Sequence, residues 1–354
     1  MISELAALVA GGDELSHDQV ALAVRELTDE TVAAEAKATF LAALARKGET
    51  AGEISAFASE LRARSVALPV PARVREAGIL DVVGTGGDRA GTLNLSTAAA
   101  LIASAAGVCV AKHGNRAVTS QSGSADVLQA LGVPIELRPE QAAAVLEQRG
   151  FAFLFAPLYH PAFRAIAPAR KLCAERGQRT LFNLLGPLLN PARPAFQLMG
   201  VPAPAWCDPL ARALQQLGVR RGLVVCGHAG SHADGAPIHL DEVSPVGVTT
   251  LAAFDAGQPV QAGTLTCRDF PVQPASLDDL RGGDAAANAR QIRRIFAGEE
   301  RGPQRDAVLL NAGAALFVAG RASSIREGWA QAEAVVDRGD ATRKLAELAG
   351  PGPG

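Results

Sequence analysis

Apolar positions recur at helical spacing through the first 65 residues. Leu5, Leu8 and Val9 begin one apolar face, and Ser16 is placed to cap a second helix running through Val24. Thr28 and the Asp29–Glu30 pair open a third, carried by Phe40, Leu41, Leu44 and Ala45 and stopped by Gly48. Thr50-Ala-Gly-Glu53 has the spacing of a capping box for a fourth. No strand is needed before the Val- and Pro-rich stretch Val66–Arg75, which reads as a linker or hinge. The pattern predicts a small all-helical unit over residues 1–70.

From Ile79 the pattern changes to short apolar runs alternating with helical segments. Strands are expected at Leu80–Val83, Val108–Ala111, Phe151–Phe155, Gln197–Val201 and Leu223–Cys226. Helices are expected at Ser96–Ala106, Ser124–Leu131, Pro139–Arg149, Pro204–Leu217, Ala285–Ala297, Arg305–Gly320 and Ser324–Arg338. Strand–helix repetition of this kind predicts an α/β domain over residues 76–354, with a mostly parallel central sheet flanked by helices. Gly91–Ala111 carries no charge and reaches membrane length. Its Asn94, Ser96, Thr97 and Ser104 instead favour a loop, a buried helix and a buried strand, so no membrane association is expected.

Composition narrows the classes. With 354 residues, 48% hydrophobic and 20% charged, the chain is an ordinary globular one of two domains. A net charge of −2 excludes a broad positive surface, and aromatics at 4% leave few stacking platforms, so no nucleic-acid partner is expected. The five cysteines form no C-x-x-C pair and no secretory leader is visible, which favours reduced thiols and a cytoplasmic location.

In parallel sheets ligands collect at the carboxyl ends of strands, so chemistry is sought there. After the first strand comes Gly84-Thr-Gly-Gly-Asp88, then Thr92 and Asn94-Leu-Ser-Thr97 opening a helix. Glycine amides and a helix amino end make an anion site, and the hydroxyls of Thr92, Ser96 and Thr97 add donors. The same glycines also suit a plain strand–helix turn. Asp88 is the odd member, since a carboxylate repels phosphate unless it bonds a sugar hydroxyl or faces a metal. After the next strand comes Lys112-His-Gly-Asn-Arg116, followed by the hydroxyl-rich Thr119–Ser124. Only five lysines stand against 29 arginines, so Lys112 beside Gly114 suits a phosphate contact, although a solvated position fits equally. His113 alone suits a structural histidine as well as a functional one. Two such loops at successive strand ends point to a ligand with more than one phosphate.

Taken in order and spacing, Gly84-Thr-Gly-Gly-Asp88, Asn94-Leu-Ser-Thr97, Lys112-His-Gly-Asn115 and Gly123-Ser-Ala-Asp126 resemble the anthranilate phosphoribosyltransferase family. Phe182-Asn-Leu-Leu-Gly-Pro-Leu-Leu-Asn-Pro191, Asp241-Glu242-Val-Ser244 and Asn311-Ala-Gly-Ala-Ala agree. The resemblance runs from Lys47-Gly-Glu-Thr50 nearly to the C-terminus. It implies a glycosyltransferase of tryptophan biosynthesis that joins anthranilate to 5-phosphoribosyl 1-diphosphate, releasing pyrophosphate. It also implies a homodimer formed through the helical domain, which would include the helical segment near residues 160–180. Carried over by motif, Gly84, Gly87, Asp88, Thr92, Asn94, Leu95, Ser96, Thr97, Lys112, His113, Gly114, Asn115, Arg116, Ala117, Val118, Thr119, Ser120 and Ser124 line the phosphoribosyl diphosphate site. Gly84, Asn115 and Arg170 meet anthranilate, with Asn115 and Arg170 positioning it. Ser96, Asp241 and Glu242 touch Mg²⁺, two ions per subunit. No general base is assigned.

The chain departs from the family pattern in places. It is a few residues longer between Arg170 and Arg179-Thr180, and carries an extra stretch between Gly227 and Asp241. That stretch holds His228, His232, Asp234 and His239, which invite a zinc reading. Their spacing shares no helical face, so a solvated loop insertion is expected. Arg89 and Ala90 stand where the family often has glycine or another small residue. Two rivals share the architecture: a pyrimidine nucleoside phosphorylase and a non-enzymatic nucleic-acid-binding relative. Arg170 and Asp241–Glu242 weigh against the first, and the absent basic field weighs against the second.

Overall fold

The computed structural model describes residues 1–117, 121–232 and 234–350. Its helical start follows the apolar spacing. Helices cover Ile2–Ala10, His17–Thr28, Ala34–Lys47 and Ala51–Ala63. Two reciprocal capping boxes set the beginnings of the second and fourth, Ser16 with Gln19 and Thr50 with Glu53. The third helix starts at Ala34, later than expected. Thr28 ends the preceding helix, its hydroxyl donating to the Val24 carbonyl at 2.8 Å, and Asp29 accepts from the Thr31 amide at 2.8 Å in the turn between them. The stretch expected as a linker runs into a short helix, Ala72–Ala77.

A mixed eight-stranded sheet forms the second unit. Its strands are β1 (Leu80–Gly84), β2 (Val110–Gly114), β3 (Phe151–Phe155), β4 (Phe196–Gly200), β5 (Arg221–Ser231), β6 (Pro237–Leu240), β7 (Val248–Phe254) and β8 (Gln261–Thr266). The order is β3-β2-β1-β4-β5-β7-β8, with β6 on β5. The first five strands run parallel, and β6, β7 and β8 are joined antiparallel. Sequence reading missed these last three. β8 is mostly exposed and polar, with no apolar run to mark it. The expected loop insertion after Gly227 is a hairpin instead, in which His228 pairs with His239 across β5 and β6. Among the described residues, His228, His232, Asp234 and His239 are not gathered into a cluster of three or more that could hold a metal.

Period-two alternation splits the core between the two sheet faces. Leu198, Leu223 and Val225 face a core shared with helices Leu95–Ala105, Pro303–Val318, Ile325–Asp337 and Asp340–Ala349, the last of which sequence reading missed. Met199, Val224 and Cys226 face a core shared with the N-terminal helices and with helices Phe163–Glu175 and Cys207–Gln216. Lys37 ties Phe163–Glu175 to the N-terminal helices. It is buried, and its Nζ donates to the carbonyls of Asp29 at 2.7 Å and Ala165 at 3.0 Å. Burying that ammonium is tolerable only with such partners. All five cysteines are free, and no helix among the described residues is long and apolar enough to cross a membrane.

Helices Pro303–Val318 and Ile325–Asp337 touch backbone to backbone at Gly313 and Gly328. A Cβ on Gly313 would lie 2.6 Å from the Trp329 nitrogen, and one on Gly328 would overlap the Gly313 carbonyl. Alanine gains about 1 kcal/mol over glycine in a helix, but overpacking costs about 1–3 kcal/mol and here no side-chain rotation relieves it. Gly313→Ala is therefore expected to lower the thermal unfolding midpoint by a few degrees; a higher midpoint would show that helix propensity outweighs the close approach.

Candidate active site

The strand order reverses between β1 and β4, where an open α/β sheet forms its crevice. The two strands end side by side at Gly84 and Gly200. The segment Asp241–Ser244 is laid across these ends. A Cβ on Gly84 would overlap the Asp241 carboxylate, one on Gly200 would overlap the Asp241 carbonyl, and one on Gly227 in β5 would lie 2.6 Å from the Glu242 carbonyl. Asn311 clamps the segment from helix Pro303–Val318. Its Oδ1 accepts from the Val243 amide at 2.9 Å and its Nδ2 donates to the Val243 carbonyl at 3.0 Å. Ser244 donates through Oγ to the His228 carbonyl at 2.7 Å, so the β5–β6 hairpin also holds the segment.

The acidic pair faces the glycine-rich loop. The Gly86 amide donates to Asp241 Oδ2 at 2.7 Å, and the Ser96 amide donates to Glu242 Oε1 at 3.1 Å at the amino end of helix Leu95–Ala105. Asp88 Oδ2 accepts from the Asp241 amide at 3.3 Å and its Oδ1 from the Ala90 amide at 3.2 Å. The donors that suit an anion are thus held by the chain's own carboxylates. Burial, then the charges of Asp88 and Glu242, raise Asp241 well above the ordinary carboxylate range. Burial pushes Glu242 up to about 7, against the pull of the Lys112 charge. A divalent cation fits this donor set, because it would relieve three crowded acids, and hard Mg²⁺ takes few carboxylates, with phosphate and water oxygens completing its shell. Gly87 has φ +88° and Arg89 φ +58°. The second is a conformation suited to glycine, which fits the family's preference there.

Three expectations need correction. β2 continues through Gly114 rather than ending near Ala111, so Lys112 and His113 lie in a buried strand and not in a loop. Lys112 reaches up from beneath the site, its Nζ donating to the Val82 carbonyl at 2.5 Å and to Ser96 Oγ at 3.3 Å. Burial lowers its pKa, while Asp81, Glu242 and Asp241 favour its charge. His113 points to the opposite face, where its Nε2 lies 3.1 Å from His160 Nε2. Burial pushes His113 down to about 3 and His160 to about 4, so both rings are neutral near pH 7. The Leu95 side chain packs into the core, so only its backbone is open to a ligand, while Thr97 is buried with a hydroxyl that has no hydrogen-bond partner among the described residues.

The second loop begins where Asn115 and Arg116 are exposed. Asp126 pins both of its ends, its Oδ2 accepting from the amides of Ala117 at 2.9 Å and Gly123 at 3.0 Å. Burial opposes the Asp126 charge, but these amides and Arg116 hold its pKa below the ordinary value. Ser124 Oγ donates to the Asn115 carbonyl at 3.4 Å, and Thr92 pairs with Arg281 in an isolated bridge. Val118, Thr119 and Ser120 lie outside the described residues.

Arg170 is exposed on helix Phe163–Glu175, its guanidinium 5.5 Å over the Phe182 ring. Among the described residues no carboxylate lies within ion-pair distance of it. An aromatic file leads back to the sheet: Phe182 to Phe163 at 5.6 Å, Phe163 to His160 at 5.4 Å and His160 to His113 at 5.0 Å. Sequence reading counted Ser122 only as part of the Thr119–Ser124 stretch and missed Asn288; the two bond to each other and to Asn94. Asn288 lies 166 positions from Ser122, and no local signal marks the pair.

Comparison with known proteins agrees with this arrangement. Residues 3–65 match the glycosyl transferase family, helical bundle domain, and residues 76–342 the glycosyl transferase family, a/b domain. The chain is 44% identical over 345 residues to anthranilate phosphoribosyltransferase of Rubrobacter xylanophilus, covering 98% of this chain and 96% of that one. The crystal structure of anthranilate phosphoribosyltransferase from Thermus thermophilus superposes with a TM-score of 0.85 at 42% identity, covering 98% of each chain. Anthranilate phosphoribosyltransferase from Saccharomyces cerevisiae in complex with PRPP and Mg gives a TM-score of 0.78 at 27% identity, covering 94% of this chain and 91% of that one. By its two matched domains and its near full-length identity, the chain belongs to the anthranilate phosphoribosyltransferase family.

Proposed function

We propose that the chain transfers the phosphoribosyl group of 5-phosphoribosyl 1-diphosphate to the amino group of anthranilate. The observation that carries this reading is the Asp241–Glu242 segment, laid over the β1–β4 crevice into the glycine-rich loop. Family membership and the yeast relative's PRPP and Mg support the choice of substrates and metal. We extend the proposal to a homodimer formed through the N-terminal helices, as the resemblance implies; the sedimentation mass of the purified chain tests it.

Donor binding falls to the backbone of Gly84, Gly87 and Leu95, and to Asp88, Thr92, Asn94 and Ser96. The second loop adds Gly114, Asn115, Arg116, Ala117 and Ser124. Lys112 serves from below as a fixed countercharge, joined to the loop through Ser96. Asp241, Glu242 and Ser96 would hold Mg²⁺, whose chemistry here is charge stabilisation of pyrophosphate. When the diphosphate is bound, the Gly86 and Ser96 amides pass from the carboxylates to its oxygens.

The bond from ribose C1 to the diphosphate oxygen breaks, and its electron pair leaves with pyrophosphate. The anthranilate nitrogen lone pair forms the new bond to C1 from the opposite face, and the amine then releases one proton. The amine is a neutral nucleophile at pH 7, so it needs no prior deprotonation. His113 and His160, at about 3 and 4, are poor bases. The chain's contribution to the acceptor is therefore positioning. Arg170 takes the carboxylate with a charge-assisted fork, Asn115 and Gly84 meet the ring's amino side, and the Phe182–Phe163 file offers an apolar wall.

Incubation with anthranilate, 5-phosphoribosyl 1-diphosphate and Mg²⁺ is expected to consume anthranilate fluorescence; no turnover by folded protein overturns the reading. In that assay Arg170→Ala should raise the anthranilate KM roughly tenfold to a hundredfold and leave the donor KM nearly unchanged. An unaltered anthranilate KM removes Arg170 from the acceptor site. The double variant Asp241→Asn/Glu242→Gln should require at least about tenfold more Mg²⁺ for half-maximal rate. Unchanged magnesium dependence contradicts the acidic-pair assignment.

A further inference from the structure

The glycine-rich loop and the loop ending at Gly123 leave different strands, yet one diphosphate must meet both. A buried polar knot joins them from behind. Asn288, in helix Ala285–Phe296, is 2% exposed. Its Nδ2 donates to Asn94 Oδ1 at 2.8 Å and to Ser122 Oγ at 2.8 Å. Its Oδ1 accepts from the Gly283 amide at 2.7 Å, which fixes the orientation of the side-chain amide. Ser122 Oγ donates to Asn94 Oδ1 at 3.0 Å, and Asn94 Nδ2 donates to the Ser122 carbonyl at 3.2 Å. Asn94 stands at the N-cap position of the helix that presents Ser96, its side chain spent on the knot rather than on a cap bond, and Ser122 lies in the second loop one residue before Gly123.

We propose that Asn288 is a positioning residue for donor binding, which sets the two phosphate loops at one fixed separation. The proposal rests on the reading that these loops take 5-phosphoribosyl 1-diphosphate. Both N–H groups of Asn288 are spent on the loops, one on each. Helix Ala285–Phe296 caps itself through Asp284, which accepts from the Ala287 amide at 2.7 Å, so helix initiation does not depend on Asn288. The anthranilate carboxylate falls to Arg170 on a separate helix, and neither Asn94 nor Ser122 meets the acceptor, so loss of the knot should act more strongly on the donor than on anthranilate.

Asn288→Asp keeps the shape and the Gly283 bond and deletes both donors, while Asn288→Ala deletes all three bonds without adding charge. Each is expected to raise the 5-phosphoribosyl 1-diphosphate KM about tenfold, with a clearly smaller change in the anthranilate KM. Each should also shrink the rise in unfolding temperature produced by Mg²⁺ and donor together. Ser122→Ala, which removes one hydroxyl, should shift the donor KM in the same direction, and combining it with Asn288→Ala should give less than the sum of the two effects. A wild-type donor KM in a folded Asn288 variant overturns the proposal, as does an equal change in both KM values. If neither Asn288 variant folds, Ser122→Ala decides alone: a raised donor KM supports the proposal and an unchanged one overturns it. Wild-type turnover in the same assay keeps the functional reading separate, since its absence would fault that reading rather than the knot.

Discussion

Backbone contact between the Asp241 segment and the glycines at the ends of β1 and β4 sets the rest of this molecule. The chain must lack a side chain at Gly84 and Gly200, which end β1 and β4, and at Gly227 within β5, for the segment to lie flat across them. Once there, it brings two carboxylates to the sheet's switch point, and the glycine-rich loop folds onto them through Gly86 and Ser96. Asn311 holds the segment from one side and the β5–β6 hairpin from another. Helices far along the chain thereby determine where the acids sit.

Charge follows from this placement. Asp88, Asp241 and Glu242 crowd one another while Lys112 faces them from inside the sheet. Like charges held in partial burial are costly unless a cation or protons neutralise them. On the proposed function, a magnesium–diphosphate pair would neutralise these acids. A net charge of −2 gives no sign of this concentration.

The helical start was legible because Ser16 and Thr50 carry complete capping boxes. The parallel strands were legible from their apolar runs. The antiparallel strands β6 and β8 were not, since their residues are largely exposed or polar, and β7 was missed although its Leu251–Phe254 run is apolar and partly buried. At the site, the motifs placed the glycine-rich loop and the acidic pair beside each other, but misjudged Lys112 by ending its strand early. Leu95 was named because it stands in the motif, whereas its side chain packs into the core. The bonds of Asn288 and Asn311 join residues 68 to 194 positions apart, and only the folded chain reveals them.

The central claim is that the bare glycine at the end of β4 places the acids. Gly200→Ala tests it most directly. The Cβ must push the Asp241 carbonyl off the strand end, and misplacing a reacting constellation by about 1 Å can cost on the order of a hundredfold in rate. The account predicts that the variant unfolds cooperatively and retains its circular dichroism, while phosphoribosyl transfer falls by about that factor and the Mg²⁺ requirement rises. Wild-type turnover and magnesium dependence in this variant would contradict it.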